Sequence, residues 1–483
     1  MTALPPKPVP HERKLSPLRR IKEVRRCSIS VLYDKSYVMQ MGDVWTPRRM
    51  FYFVNQPELV DRVLKTEAER FPKSTVMSSM LGLLLGNGVF VSNGETWRKQ
   101  RRMMDPAFEQ ARIQDVFPLM RNAADAMVER LSRNPDGTAV ALDEEMTHVT
   151  ADIIFRTIFS RPLTREESTR IFNAFSRFQE LAYAQGVWSM AGVPRWLSAG
   201  RLVAARHART IRGLLERGVD ERMAMLATGG SVEHHDILSS LMEAVDPVTG
   251  DRFTRKELVD QIAVLFLAGH ETSASALGWA LYLIATHPEI QERLHQESDG
   301  VFGGRAAEFG DMRRLRLARD VFRESLRLYP PVSFISRDTV QTEKMRSKTL
   351  AKGSVVMVSP WLIHRHRRLW DRPDDFDPDR FSTPAGKESS RHAYLPFSAG
   401  PRVCLGASFA MQEATLIVAQ LMRDFHFDKV PDHTPVPTAR LTLRSENGIR
   451  LMVRTRSSAP RAAVPESRDQ AEEPATPAGC PFH

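Results

Sequence analysis

The chain has 483 residues, 42% hydrophobic and 26% charged, which suits a globular protein with a large core and argues against disorder over most of its length. Three cysteines, Cys27, Cys404 and Cys480, are too few for a disulfide framework and suit a reducing compartment. The formal net charge is +10, but no nucleic-acid motif and no interleaved aromatic pattern accompany it, so it reads as solvated faces plus a docking patch for an acidic protein.

The first residues are Pro-rich (Pro5, Pro6, Pro8, Pro10) and then basic (Arg19, Arg20, Arg25, Arg26), with no apolar signal-peptide core. No apolar run reaches the roughly 18–20 residues that span a bilayer. A cytoplasmic protein without a transmembrane anchor is expected. Residues 1–34 are expected to form a loosely packed arm, 35–456 the folded body, and 457–483 a disordered tail of Ser, Pro, Ala and Glu. Short strands are predicted at 43–47 and 50–54, stopped by Asn55-Gln56-Pro57. Apolar spacing of 3.6 predicts helices over 58–66, 95–104, 117–131, 140–159, 165–181, 204–227 and 258–286. A strand is predicted at 354–358, and a late hairpin from 441–443 and 449–453 around Asn447-Gly448. The fold class is mainly α with small β-sheets.

Five segments carry chemistry. In Trp97-Arg98-Lys99-Gln100-Arg101 the i, i+4 spacing sets Trp97 and Arg101 on one helical face. Ala268-Gly269-His270-Glu271-Thr272 puts an acid and a hydroxyl into an otherwise apolar helix, where burying them costs free energy and needs a reason. Gly269 leaves room beside that helix, and Thr272 can bond back to the carbonyl one turn earlier. Glu324 and Arg327 pair at i, i+3 before Pro330-Pro331 stops the helix. Trp370, Pro373, Phe376, Pro378, Arg380 and Phe381 follow at fixed spacing. Last comes Phe397-Ser398-Ala399-Gly400-Pro401-Arg402-Val403-Cys404-Leu405-Gly406, a tight turn before a helix starting near Ala407. Helix N-termini lower thiol pKa values. Gly400 and Gly406 let backbone amides approach the sulfur, Phe397 screens it, and Arg402 offers a fork for a carboxylate. A protected thiolate beside such an arginine suits axial ligation of haem iron.

The Phe-x-x-Gly-x-Arg-x-Cys-x-Gly string resembles the haem-binding loop of the cytochrome P450 superfamily, and with the other segments the resemblance covers about residues 35–456. It implies the P450 fold, with haem b between the 258–286 helix and the helix after Cys404. Carried over residue by residue, it implies Cys404 as the iron ligand, and Arg402, Trp97, Arg101 and Arg337 at the propionates. Phe397, Gly400 and Gly406 would shape the loop, with Ala268 and Gly269 across the haem. Thr272 and Glu271 would serve oxygen activation and proton relay, and Glu324, Arg327 and Arg380 a buried structural triad.

The implied activity is a monooxygenase of the soluble bacterial type, inserting one oxygen atom from O2 into a lipophilic small molecule: a fatty acid, terpenoid or steroid-like compound. Segments 76–91, 172–197, 264–272, 332–335 and 441–443 would line the pocket. With no flavin or iron–sulfur segment in the sequence, electrons from NAD(P)H are expected through a separate ferredoxin or flavodoxin and a reductase, docking at the basic face of Arg98, Lys99, Arg101 and Arg102. A peroxide-driven or isomerising haem-thiolate enzyme is the enzymatic alternative, and a haem sensor, hinted at by Cys480-Pro481, the non-enzymatic one.

Overall fold

The structure, a computed structural model, describes residues 4–46, 48–190, 200–231 and 236–456. The expected tail with Cys480-Pro481, Pro47 of the first predicted strand, and 191–197 of the expected lining lie outside the described residues. Helices run α1 Pro17–Arg26, α2 Pro57–Asp61, α3 Thr75–Leu85, α4 Gly94–Met104, α5 Gln110–Ser132, α6 Leu142–Phe159, α7 Arg165–Met190, α8 Gly200–Ala227, α9 Ile237–Glu243, α10 Arg255–Ala285, α11 Pro288–Phe302, α12 Arg316–Leu328, α13 Pro360–Ile363, α14 Pro384–Ala393 and α15 Ala407–Asp424. Strands are β1 Met41–Trp45, β2 Met50–Val54, β3 Thr138–Ala141, β4 Ile335–Asp338, β5 Glu343–Met345, β6 Lys348–Leu350, β7 Val355–Val358, β8 Phe425–Lys429, β9 Pro437–Ala439, β10 Leu443–Ser445 and β11 Arg450–Thr455.

Helix α10 is the axis of the molecule. Thr254 caps its start: the Thr254 hydroxyl accepts from Glu257 N at 3.3 Å, and the Glu257 carboxylate accepts from Thr254 N at 2.9 Å. Pro288 begins the next helix. Residues 258–266 and 273–285 of α10 are buried almost throughout, against α6, α8, α12 and α15. A helix apolar on all faces belongs in a core. A four-stranded sheet in the order β1-β2-β7-β4 flanks this helical body, and β3-β11-β8 forms a second sheet.

Three expectations are corrected. The stretch 4–34 is not a loose arm: Leu15, Cys27, Ile29 and Leu32 are buried, Ser28 N donates to Ala439 O at 2.7 Å, and Tyr329 Oη donates to Pro6 O at 2.8 Å. The predicted helix 140–159 begins only at Leu142, because Thr138–Ala141 pairs with β11. The late hairpin does not form: β10 pairs with β9, and β11 pairs with β3 and β8, so Asn447-Gly448 links two different sheets. A turn signal names a bend but not the strands it joins.

Glu324, Arg327 and Arg380 are brought together, all buried. Arg327 Nε and Nη2 donate to the Glu324 carboxylate at 2.8 Å each, Arg380 Nε donates at 3.2 Å, and Asp377 N at 3.1 Å. The guanidiniums also grip backbone carbonyls of the following chain: Arg327 those of His364, Pro373 and Asp375, Arg380 those of Asp371 and Arg372. His364 carries the grip onward. Its Nε2 accepts from Leu395 N at 2.8 Å, so Nδ1 bears the proton and donates to Arg327 O at 3.2 Å. Burial above all holds this ring neutral, with its pKa pushed down to about 3. The cluster therefore ends at Leu395, two residues before the Cys404 loop.

Glu324→Ala strands two buried guanidiniums and should cost roughly 3–5 kcal/mol. Arg293→Ala, which removes an exposed pair with Asp379, should cost at most about 1 kcal/mol. Denaturant unfolding of both variants checks this; equal losses would contradict a buried cluster.

Candidate functional site

The Cys404 loop is a turn held by its own backbone. Cys404 N donates to Phe397 O at 2.9 Å and Val403 N to Gly400 O at 3.0 Å. Gly400 has φ 71°, and a Cβ there would lie 2.0 Å from Leu64 O, so only glycine lets the loop seat on the helical turn Arg62–Thr66. Cys404 is open to solvent although protein surrounds most of it. Burial pushes its pKa up; a bond from the Gly406 backbone, with Arg101 and Lys73 nearby, pulls the other way.

Around the sulfur stands an excess of positive charge. Arg402 donates to Ser92 O at 3.1 Å and Asn93 Oδ1 at 2.8 Å, and stacks 4.1 Å over Trp97. Trp97 thus braces Arg402. Arg337 is buried, and its guanidinium donates to the Ser336 carbonyl at 3.1 Å. Arg101 reaches Val403 O at 2.7 Å and Asp105 at 2.6 Å. Lys73, bridged to Arg337 across a short antiparallel contact, donates to Phe90 O at 2.6 Å. Burial is the main cause lowering Arg337 and Arg402 to about 10, and it also holds Lys73 well below its ordinary value. Among the described residues Lys73, Arg337 and Arg402 have no ion pair. Desolvated cations without carboxylates are costly, and beside an accessible thiol they fit a dianionic ligand with a soft metal centre. A haem with two propionates meets that description. Lys73 has no motif around it, and only its contact with Arg337 reveals it.

On α10 the buried run is broken where the sequence places Ala268-Gly269-His270-Glu271-Thr272. Ala268 is exposed, and Gly269 and Thr272 are half-buried. Thr272 Oγ1 donates to Ala268 O at 2.6 Å. Gly269 does not leave an open space: a Cβ there would lie 2.9 Å from Ile154 of α6, so this glycine admits the neighbouring helix. Glu271 faces the other way. Arg444 Nε donates to it at 2.7 Å, Arg444 Nη2 closes the ion pair, and Thr442 Oγ1 donates at 2.5 Å. Burial would raise the Glu271 pKa, but Arg444, His270 and Thr442 together bring it down to about 2. Glu271 is a bonded carboxylate at neutral pH. One residue past Thr272, Ser273 lies against Glu413 of α15.

The basic helix α4 is largely compensated within the chain. Arg98 pairs with Glu69 and Glu95, Lys99 with Asp251, and Arg102 with Asp246. No helix among the described residues is long and apolar enough to cross a membrane.

A family model described as "Cytochrome P450" matches residues 21–452. Cyclooctatin synthase of Streptomyces melanosporofaciens is 34% identical over 82% of this chain and 84% of its own. Cyclooctat-9-en-7-ol 5-monooxygenase of the same organism is 30% identical over 79% and 81%. The crystal structure of the cytochrome P450DA heme domain superposes with a TM-score of 0.76 at 26% identity, covering 86% of this chain and 90% of that one.

The Glu271–Arg444 pair should make stability depend on pH. Glu271 sits at about 2 in the folded chain against an ordinary 4.5, so its stabilisation is fully present above about 4.5 and fades as pH falls toward 2. Arg444→Met should therefore be most destabilised relative to the parent at pH 7, with the gap narrowing as pH is lowered through 4.5. Denaturant melts across that range measure it; a pH-independent gap would show that Arg444 acts through packing alone.

Proposed function

The chain belongs to the cytochrome P450 family, and from that membership we propose that it hydroxylates a lipophilic small molecule of terpenoid type. It is an oxygen-incorporating oxidoreductase whose cofactor is haem b and whose electrons come from NAD(P)H through redox partners. In this reading Cys404 would hold the haem iron, and Arg337, Arg402, Arg101 and Lys73 would hold the propionates. Haem held there would supply the chemistry of O2 activation, for which a thiolate ligand is suited. Thr272 orients the oxygen-activating turn of α10. Glu271, ionised and tied to β10, takes part in proton relay as an acceptor.

The cationic set around Cys404 carries the haem assignment. For the substrate, the support is the apolar character of the segments beside α10. Val76, Met77, Leu83, Val89, Phe90, Leu267, Phe334 and Leu441 are half-buried apolar side chains, which favour lipophilic ligands. Arg212 of α8, close to α10, is engaged by Asp260 at 2.8 Å rather than poised for a fatty-acid carboxylate. Two relatives are named for cyclooctatin chemistry, one of them for a monooxygenase acting on an alkenol. A separate electron carrier docking near α4, where it would exchange with the exposed in-chain ion pairs, and a cytoplasmic location complete the reading.

Cys404→Ser should abolish the red-shifted Soret band of the ferrous carbon monoxide complex, and Cys27→Ser should leave it intact. Survival of that band in Cys404→Ser would end the ligand assignment. In a panel of terpenoids, fatty acids and steroids, terpenoids should give the largest Soret spin-state shift; a fatty-acid preference would redirect the substrate class. Thr272→Ala keeps the helix, since alanine is its best former, and should leave the spin-state shift unchanged. Product per NAD(P)H should fall several-fold while hydrogen peroxide rises, and an unchanged ratio would remove Thr272 from oxygen activation.

A further inference from the structure

The β9–β10 hairpin is too small to place itself. Each strand has three residues, and an isolated two-stranded ribbon is marginal in water. Its position is set from outside. On one flank, Ser28 N donates to Ala439 O at 2.7 Å, Ala439 N to Cys27 Sγ at 3.3 Å, and Arg440 Nε to Arg26 O at 3.2 Å. Leu443 N donates to Pro331 O at 2.9 Å. On the other flank stands α10. Glu271 accepts from Thr442 Oγ1 at 2.5 Å and from Arg444 Nε at 2.7 Å, and Ser275 Oγ donates to Leu443 O.

These contacts run in register. Thr442 and Arg444 are two residues apart, which puts them on one face of an extended strand. Leu267, Glu271 and Ser275 are four apart, on one face of α10. Leu443 meets Ser275, and Thr442 meets Glu271 one helical turn earlier. Leu441, at the tip of the hairpin, is the next residue in that direction, toward Leu267 and Ala268. Leu441 and Leu267 are both half-buried apolar side chains packed on the same core. A carboxylate buried in an apolar helix has to be bonded, and both side chains that donate to Glu271 come from this hairpin. Glu271 is covalently next to Thr272, and Thr442 next to Leu441. One charge-assisted link therefore fixes the hairpin tip relative to the oxygen-activating turn.

We propose that the Thr442–Glu271–Arg444 link sets the regioselectivity of the oxygenase: it holds Leu441 against the bound substrate, so that one carbon rather than its neighbours is presented to the Thr272 turn. Thr442 and Arg444 are positioning residues that act through Leu441. The inference rests on the oxygenase reading and deepens it, because it assigns selectivity to an ion-paired link behind the pocket wall.

Thr442→Val keeps the shape of the side chain and removes the donor, whereas Thr442→Ser keeps the donor. The probes are farnesol, dodecanoic acid and testosterone, one from each class of the substrate panel, turned over by the holoprotein with a reconstituted redox chain. Thr442→Val and Arg444→Met should shift the ratio of hydroxylated isomers several-fold. Leu441→Ala, with the link intact, should shift it as well, and Thr442→Ser should return it to the parent value. Thr272→Ala should keep the parent ratio while product per NAD(P)H falls, and that fall should be smaller in Thr442→Val. Loss of structure alone would lower haem content without moving the ratio. Hydrogen exchange of residues 437–445 in the resting holoprotein should be faster in Thr442→Val than in the parent or Thr442→Ser. Parent isomer ratios in both Thr442→Val and Arg444→Met would overturn the proposal, as would a Thr442→Ser ratio no closer to the parent than that of Thr442→Val. A parent protein that forms the thiolate carbon monoxide band but oxygenates none of the three probes would instead overturn the oxygenase reading beneath it.

Discussion

The Glu324 carboxylate has no exposed surface and is shared between two guanidiniums that have almost none. Water cannot substitute for any of its partners, so the three side chains must meet in one geometry. The spare donors of that cluster reach five backbone carbonyls between His364 and Asp375, and His364 passes the constraint to Leu395. A loop with no regular secondary structure from 395 to 399 thereby gains a fixed starting point. Gly400 then supplies the second anchor, against Leu64. The position of the Cys404 sulfur follows from these two attachments more than from the turn alone.

Charge is distributed unevenly, and the unevenness has chemical meaning. On α4 the cations are matched by Glu69, Glu95, Asp251 and Asp246, which leaves little net field there. A few residues away, Lys73, Arg337 and Arg402 crowd together with backbone carbonyls and an amide for partners. Repulsion from the neighbouring guanidiniums helps to lower the pKa values of Lys73 and Arg402. A fold tolerates such a cluster when a ligand brings the compensating anions. The same contrast separates the two acids near Thr272. Glu271 has Arg444 and is ionised; Glu413 has a single hydroxyl and is not. Environment, rather than residue type, gives them different charge states.

The haem loop, the polar interruption of α10 and the acid–arginine helix were legible because each is a local pattern with fixed offsets. So were most helices, since burial on one face leaves a 3.6-residue period in the chain. The late hairpin was not legible, because Asn447-Gly448 marks a turn while strand pairing depends on segments as distant as Thr138–Ala141. The packing of residues 4–34 was hidden for a related reason. Its apolar residues are few, and they are buried by elements far away in the chain, among them α7 and β9.

What the sequence by itself determined is the set of groups: a cysteine in a glycine-bounded turn, a threonine that bonds back to its own helix, and a carboxylate with two arginines to share it. Those depend on neighbours within a turn or two, where covalent connectivity sets distance. Tertiary structure alone decided which charges meet. Arg444 reaches Glu271 across 173 residues, Lys73 meets Arg337 through a single bridge, and Glu413 is left facing Ser273. The protonation state of a buried group is a sum over everything packed against it, and no local motif contains that sum.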